Sequence, residues 1–254
     1  MNKLELIKSR HSVRSYKSDP LSDKIQNALK AEITMINTHV AGLKFQLFFN
    51  NSDPFNGFFK SYGTFENPYN YLAAVVDDSV ENIWEKAGYY AEQFVIKCCE
   101  MGLGTCFVGG TYDSKSVNVQ LKAGEKILFL VVFGEASGHI RMKEKWLVNF
   151  VHRKKYDISH FFEPEYTFEK ACKDFPGLNE GIIAVACAPS SLNKRPTRLF
   201  IGKEWGEGVV CAKVDPKNEK NLIDLGIAKF NYNFVTDTQC QWGNGQPLTG
   251  GEIE

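Results

Sequence analysis

Residues 81–110 read ENIWEKAGYYAEQFVIKCCEMGLGTCFVGG, and the change of character within this stretch decides the fold class. Ile83, Ala87, Tyr90, Ala91, Phe94, Val95, Cys98 and Met101 recur at helical spacing, which predicts an amphipathic helix over Glu81–Met101. Gly102 begins its termination. The remainder, Gly102-Leu-Gly-Thr-Cys-Phe-Val-Gly-Gly110, has four glycines in nine residues, a composition that lets backbone approach a flat ligand and turn N–H groups toward it. A glycine-rich cap and loop without a ligand is the plainer alternative. No GK[ST] follows, and the GxGxxG order is missing, so neither a Walker loop nor a Rossmann turn is indicated.

Outward from this stretch, helical and extended patterns alternate. Phe45–Phe49 and Tyr71–Val76 read as strands, separated by an aromatic loop rich in Gly, Asn and Pro. Leu4 and Ile7 suggest a short opening helix, and Pro20, Ser22 and Asp23 supply start signals for a second helix reaching about Ala31. On the other side, Ile127–Phe133 is a continuous apolar run, read as a buried central strand ending at Gly134. A basic stretch between His139 and Tyr156 follows. Helices are then expected near Phe168–Lys173 and Leu178–Ala188, strands at Arg198–Gly202 and Val209–Val214, and a helix near Glu219–Phe234. The tail Thr236–Glu254 has no strong period and reads either as an ordered arm or as partly loose.

The order of elements before residue 160 resembles the order after 165, which suggests one plan used twice. Ala87-Gly88-Tyr89-Tyr90-Ala91 sits in the first long helix where Leu225-Gly226-Ile227-Ala228-Lys229 sits in the second. Two half-like repeats are therefore expected, at 1–160 and at a truncated 165–254.

Composition narrows the function classes. The 254 residues can bury a sizeable core, and 43% hydrophobic with 24% charged residues is ordinary for a soluble globular chain. Thirty basic and thirty acidic residues cancel, giving no long-range attraction toward nucleic acid or anionic membranes. The seven cysteines lack CxxC spacing, so reduced thiols in a cytoplasmic protein are expected rather than a zinc site or disulfide framework. The N-terminus has no apolar signal-like core, and no run approaches the ~20 apolar residues that span a bilayer.

Two further segments carry chemistry. In Arg10-His11-Ser12-Val13-Arg14-Ser15-Tyr16, extended geometry would point Arg10, Ser12 and Arg14 to one side. Two forked guanidinium groups with a hydroxyl between them suit a phosphate monoester, although a solvated basic turn would have the same sequence. In Ala188-Pro-Ser-Ser-Leu-Asn-Lys-Arg-Pro-Thr197, Pro189 stops a helix and Ser190, Ser191 and Asn193 offer short polar groups before a strand.

Together these three segments resemble the nitroreductase family. That family opens on R-[RH]-S-x-R-x-[FY], carries a loop like GLGTC-aromatic-x-G, and has a turn like APSxxNxxP leading into a strand. The turn normally follows the opening segment closely. Here that slot holds Ile36-Asn-Thr-His-Val40, and the good match lies in the second series. This displacement resembles the tandem branch of TM nitroreductases, in which one chain imitates the family's dimer.

The resemblance implies an α+β fold, with a mixed, largely antiparallel sheet flanked by helices, and FMN as cofactor. By resemblance Arg10, His11 and Ser12 contact the phosphate and ribityl chain, and Arg14 lies near the pyrimidine edge of the ring, where a cation stabilises reduced flavin. Backbone from Val108, Gly109 and Gly110 would face the ring, Pro189, Ser190 and Asn193 would approach it from the second half, and Arg153 and Lys154 would assist at the phosphate. The implied reaction is ping-pong transfer from NADH or NADPH to a small nitroaromatic or quinone-like acceptor, with no side-chain catalyst. Cys106 reads as packing. The implied protein is a monomer, with a dimer as the alternative. The family's Gln-Pro-Trp after the asparagine is replaced by Arg195-Pro196-Thr197, which keeps open a flavin binder without turnover, or a scaffold that has lost the flavin.

Overall fold

The computed structural model describes residues 1–56, 65–138, 158–162, 169, 173, 178–206 and 209–251. They fall into two units. One is built from Arg10–Ile83 and Gln93–Val151, the other from Met1–Ser9, Trp84–Glu92 and His152–Glu254.

The first unit holds a four-stranded sheet of β1 (Leu43–Phe48), β2 (Tyr71–Asp77), β3 (Gly104–Val108) and β4 (Glu125–Gly134), in the order β1-β2-β4-β3. Every strand pair is antiparallel. The two continuous apolar runs of the sequence are the two central strands, because only a strand covered on both faces has no polar side to present. A bulge interrupts their pairing: Ala74 faces Phe129 while Val75 faces Ile127.

Helix α2 (Asp23–His39) starts where expected, with the Ser22 hydroxyl accepting from the Ile25 N–H. It ends a full eight residues beyond Ala31. The β-branched Ile33, Thr34, Ile36 and Thr38 lower the propensity of this stretch, but Ile33 and Ile36 continue the buried face begun at Leu29. Burial wins over propensity. The Asn37 amide then bonds both backbone groups of Phe45, at 2.8 and 2.7 Å, fixing α2 against β1.

Helix α3 (Ile83–Glu100) closes with the Leu103 N–H on the Cys98 carbonyl at 2.9 Å and Gly102 at φ +75°, a Schellman motif that needs glycine. Its Gln93–Glu100 part belongs to this unit, with Phe94 edge-on to Phe133 at 5.3 Å.

The second unit holds α1 (Lys3–Ser9), Trp84–Glu92 of α3, α4 (Leu178–Cys187), the hairpin pair β5 (Arg198–Ile201) and β6 (Val210–Lys213), and α5 (Lys220–Thr236). Residues Asp224–Asn233 of α5 are buried on every side, marking it as the central element. Helix α4 runs antiparallel along it: Gly181 lies against Tyr232 and Thr236, and the Ala184 carbonyl accepts from Asn231.

The Trp84–Glu92 segment crosses α5 at two glycines. A Cβ on Gly88 would sit 2.1 Å from the Ile223 carbonyl oxygen, and one on Gly226 would sit 1.9 Å from that of Glu85. Each glycine thus faces the carbonyl three residues before the other, which is the reciprocity of a two-fold contact.

Beside the crossing, the buried Lys229 ammonium bonds Glu85 at 2.6 Å and the carbonyls of Gln241 and Gly243 at 2.8 and 2.9 Å. Glu85 also accepts the Gly243 N–H. The tail is therefore an ordered arm through Gly251, with Leu248 and Gly245 bonded to the β6 backbone.

The helix expected near Phe168–Lys173 lies outside the described residues, apart from Glu169 and Lys173. Among the described residues no helix is long and apolar enough to cross a membrane.

Candidate functional site

The segment after Arg10 is held flat by backbone pairing on both sides. Ser12 makes a parallel bridge to Thr105 at the free edge of β3, and the Val13 N–H donates to the Thr105 carbonyl at 2.9 Å. Further on, Arg14 and Tyr16 exchange backbone bonds with Glu66, while Ser15 and Lys17 bond Ser137 and Glu135. The Tyr16 hydroxyl donates back to the Val13 carbonyl at 2.6 Å, closing the segment on itself.

Side chains alternate accordingly. Val13 and Ser15 are buried, whereas Ser12 and Arg14 lie on the partly exposed side, with Arg10 half-buried and His11 exposed. An Arg14 guanidinium nitrogen lies 3.4 Å from the Ser12 carbonyl, so the cation stays beside the serine instead of extending into solvent. The result is a ledge of donors on a fixed backbone.

The glycine-rich stretch differs from its reading as one loop. Its middle is strand β3, because Thr105, Cys106, Phe107 and Val108 are good strand formers that pair with Phe133, Val132, Val131 and Leu130. The glycines divide into separate tasks. Gly104 lets Val13 pack directly onto β3, since a Cβ there would lie 2.6 Å from a Val13 methyl. Gly109 and Gly110 are exposed, and a Cβ on either would meet no atom within 4 Å. Val108 places its side chain in the core with Val13 and Tyr16, leaving its backbone as the part able to meet a ligand. Cys106 is in the same core, as a packing residue.

Pro189, Ser190 and Asn193 belong to the other unit, at the end of α4. Pro189 follows the last helical turn, and Ser191–Asn193 forms a short 3-10 turn. Leu192 at φ 51°, Asn193 at φ 53° and Arg195 at φ 48° all occupy the left-handed region, which leucine and arginine rarely adopt. Local bonds hold the shape: the Ser190 hydroxyl accepts the Arg195 N–H at 2.8 Å, and the Asn193 amide oxygen accepts from the Arg195 guanidinium at 3.1 Å. Leu192 is 65% exposed at the tip.

Sequence reasoning missed what lies beneath this turn. Asp224 of α5 is 7% exposed and receives the Ser191 N–H on both carboxylate oxygens, each at 3.3 Å. Burial raises its pKa to about 7, against smaller downward pulls from the Ser191 N–H and Lys194. No local signal marks an aspartate in a helix as the partner of a turn 33 residues earlier.

The Arg10–Arg14 segment and the glycine pair lie in one unit, the first paired to β3 at Thr105 and the second following β3 after Val108. The turn is formed as a separate feature, and Arg153 and Lys154 lie outside the described residues.

Residues 2–235 match the model of a family described as "Putative TM nitroreductase". No curated protein sequence matches the chain. Among solved structures, the chain is similar to a "putative nitroreductase" from Thermotoga maritima, at 19% identity and a TM-score of 0.58, over 92% of this chain and 83% of that one. A nitroreductase family protein from Clostridium difficile aligns at 14% identity and 0.48, over 65% and 99%. A nitroreductase with bound FMN from Desulfitobacterium hafniense aligns at 16% and 0.42, over 57% and 97%. The Thermotoga likeness shows the fold, and the two lower scores carry no argument.

Proposed function

Because the chain belongs to the TM nitroreductase family, a family of oxidoreductases, we propose that it is an FMN-dependent enzyme. It takes reducing equivalents from NADH or NADPH and passes them to a small nitroaromatic or quinone-like acceptor by a ping-pong mechanism. The observation that carries this reading is the donor ledge. Ser12 and Arg14 share the partly exposed side of a segment whose backbone is fixed to β3, with Arg10 two residues earlier.

That donor set fits a phosphate monoester, which forked guanidinium and hydroxyl donors recognise better than single ammonium charges do. Gly109 and Gly110, open where side chains would otherwise stand, fit a flat ring passing over the backbone. Arg10, His11 and Ser12 would hold the phosphate end and Arg14 the pyrimidine edge. The motif resemblance assigns Pro189, Ser190 and Asn193 to the same flavin, and Arg153 and Lys154 to its phosphate. When bound, the flavin supplies the hydride and electron chemistry. The chain's own part is to bind it and to keep a guanidinium where negative charge gathers on reduction.

The reciprocal glycines Gly88 and Gly226 support the reading of 1–160 and 165–254 as two half-like repeats, and with it a monomer; the cytoplasmic location is proposed from the scattered cysteines alone. One observation favours a second reading, a flavin binder without turnover. Arg195 satisfies both the Ser190 hydroxyl and the Asn193 amide oxygen, so the turn's polar groups are already engaged within the chain.

Purified protein tests both. The enzyme reading expects a yellow protein bleached by NADH or NADPH under anaerobic conditions and recoloured by a nitroaromatic. FMN at ~100 times its Kd should add about 2.7 kcal/mol of stability to the wild type, and Arg14→Ala should lose most of that gain. A yellow protein that neither nicotinamide bleaches is the non-catalytic binder. Colourless protein, with no thermal shift from FMN, would end both readings.

A further inference from the structure

The antiparallel run of α4 along α5 delivers the chain to a particular place. Contacts step from Gly181 against Tyr232 and Thr236, through Ala184 against Asn231, to Ser191 over Asp224. The turn that follows has left-handed Leu192, Asn193 and Arg195, a shape that needs outside support to persist. Part of that support is a single N–H shared by two oxygens of a buried carboxyl group. That bond by itself favours the carboxylate, but a single N–H does not replace the water a buried charge loses, so burial under the turn still favours the neutral acid.

We propose that Asp224 is the positioning residue of the Ser190–Asn193 turn, a proton-dependent latch that holds the turn down on α5 when neutral and releases it toward water when ionised. Its consequence for a ligand rests on the flavin reading above.

The direction follows from linkage. Beneath the closed turn burial lifts Asp224 to about 7, and in water a carboxyl group returns to about 4. The closed form therefore binds the proton more tightly, and raising the pH through neutrality favours the open form. Among the described residues, charged or titratable groups on the elements packed there are Lys194 and Arg195 of the turn with Arg198 beyond it, His160, Glu180 and Cys187 of α4, Lys220 and the Glu85–Lys229 pair at α5, and Lys3, Glu5 and Lys8 of α1. Lys194 lowers the Asp224 pKa, opposing burial without overcoming it. His160 approaches the Arg195 carbonyl at 3.3 Å, so its substitution serves as the control.

Amide hydrogen exchange, corrected for intrinsic rates, reads the latch without any flavin. In the wild type, protection over residues 190–195 should fall on the order of tenfold between pH 6 and 8 relative to residues 227–233 of α5. Asp224→Asn should keep the turn protected across that range, and His160→Gln should leave the wild-type fall in place. The latch is overturned if wild-type protection is flat, if Asp224→Asn shows the same fall, or if His160→Gln abolishes it. The wild-type measurement decides even if a variant does not fold.

FMN affinity over the same pH range forms a separate arm. It should weaken with rising pH in the wild type and lose that dependence in Asp224→Asn. A latch seen by exchange with no echo in FMN affinity would remove the turn from the flavin site, and absent FMN binding would remove the flavin reading. Either result leaves the latch to be judged by exchange alone.

Discussion

Lys229 has 0% of its side chain exposed and Glu85 1%, so each is in place because of the other. Burial pushes the Glu85 pKa upward, and the Lys229 ammonium with the Gly243 N–H draws it back toward the charged form. Removing one partner strands a charge. Lys229→Met should therefore cost about 3–5 kcal/mol in urea unfolding, while Lys229→Met with Glu85→Leu recovers most of it. Asp224 gives the opposite kind of prediction, because its pKa is raised from 3.8 to about 7. Its contribution is fully present below about pH 4 and is lost as pH rises through 7, up to roughly 4 kcal/mol. The Asp224→Asn variant should lack that slope, so the stability of the wild type relative to the variant should fall by up to this amount between about pH 4 and 7. Neither residue could be picked out of the sequence. Glu85 lies 144 positions from Lys229, and local spacing says nothing of such pairs.

The glycines divide sharply at the scale of elements. Gly88→Ala and Gly226→Ala would gain helix propensity in isolation, about 1 kcal/mol each. At this crossing they would drive a methyl to within 2.1 and 1.9 Å of a carbonyl oxygen, so thermal melts should show strong destabilisation. Gly109→Ala has open space and should leave stability within ~0.5 kcal/mol. If the ring passes there, the same substitution should weaken FMN binding in a titration. Element identity was largely legible: the long helix, both central strands and the strands β5 and β6 follow from periodicity and apolar runs. Strand β3 was not, since its flanking glycines disguise a five-residue extended segment as loop. The end of α2 was misread because Ile33 and Ile36 are anchored by contacts that propensity does not contain. At the candidate site, the alternation of Ser12 and Arg14 was readable, whereas Asp224 depended on the antiparallel course of α4.

For the whole molecule, the proposal of an internal pseudo-dimer predicts sedimentation as a single 28.7 kDa species; a mass about twice that would sink it. It also bears on how this chain can change over generations. In a homodimer, every residue at a two-fold seam is written once and read twice. The facing positions of Glu85 and Lys229 across the Gly88–Gly226 crossing are Ile223 and Ala91, neither of which is charged. A symmetric pair of subunits could not hold one such ion pair without holding two. On this reading, joining the halves in one chain freed each side of the seam to drift alone. It then settled on the buried charge pair of Glu85 and Lys229 and used it to tie down the arm at Gln241 and Gly243.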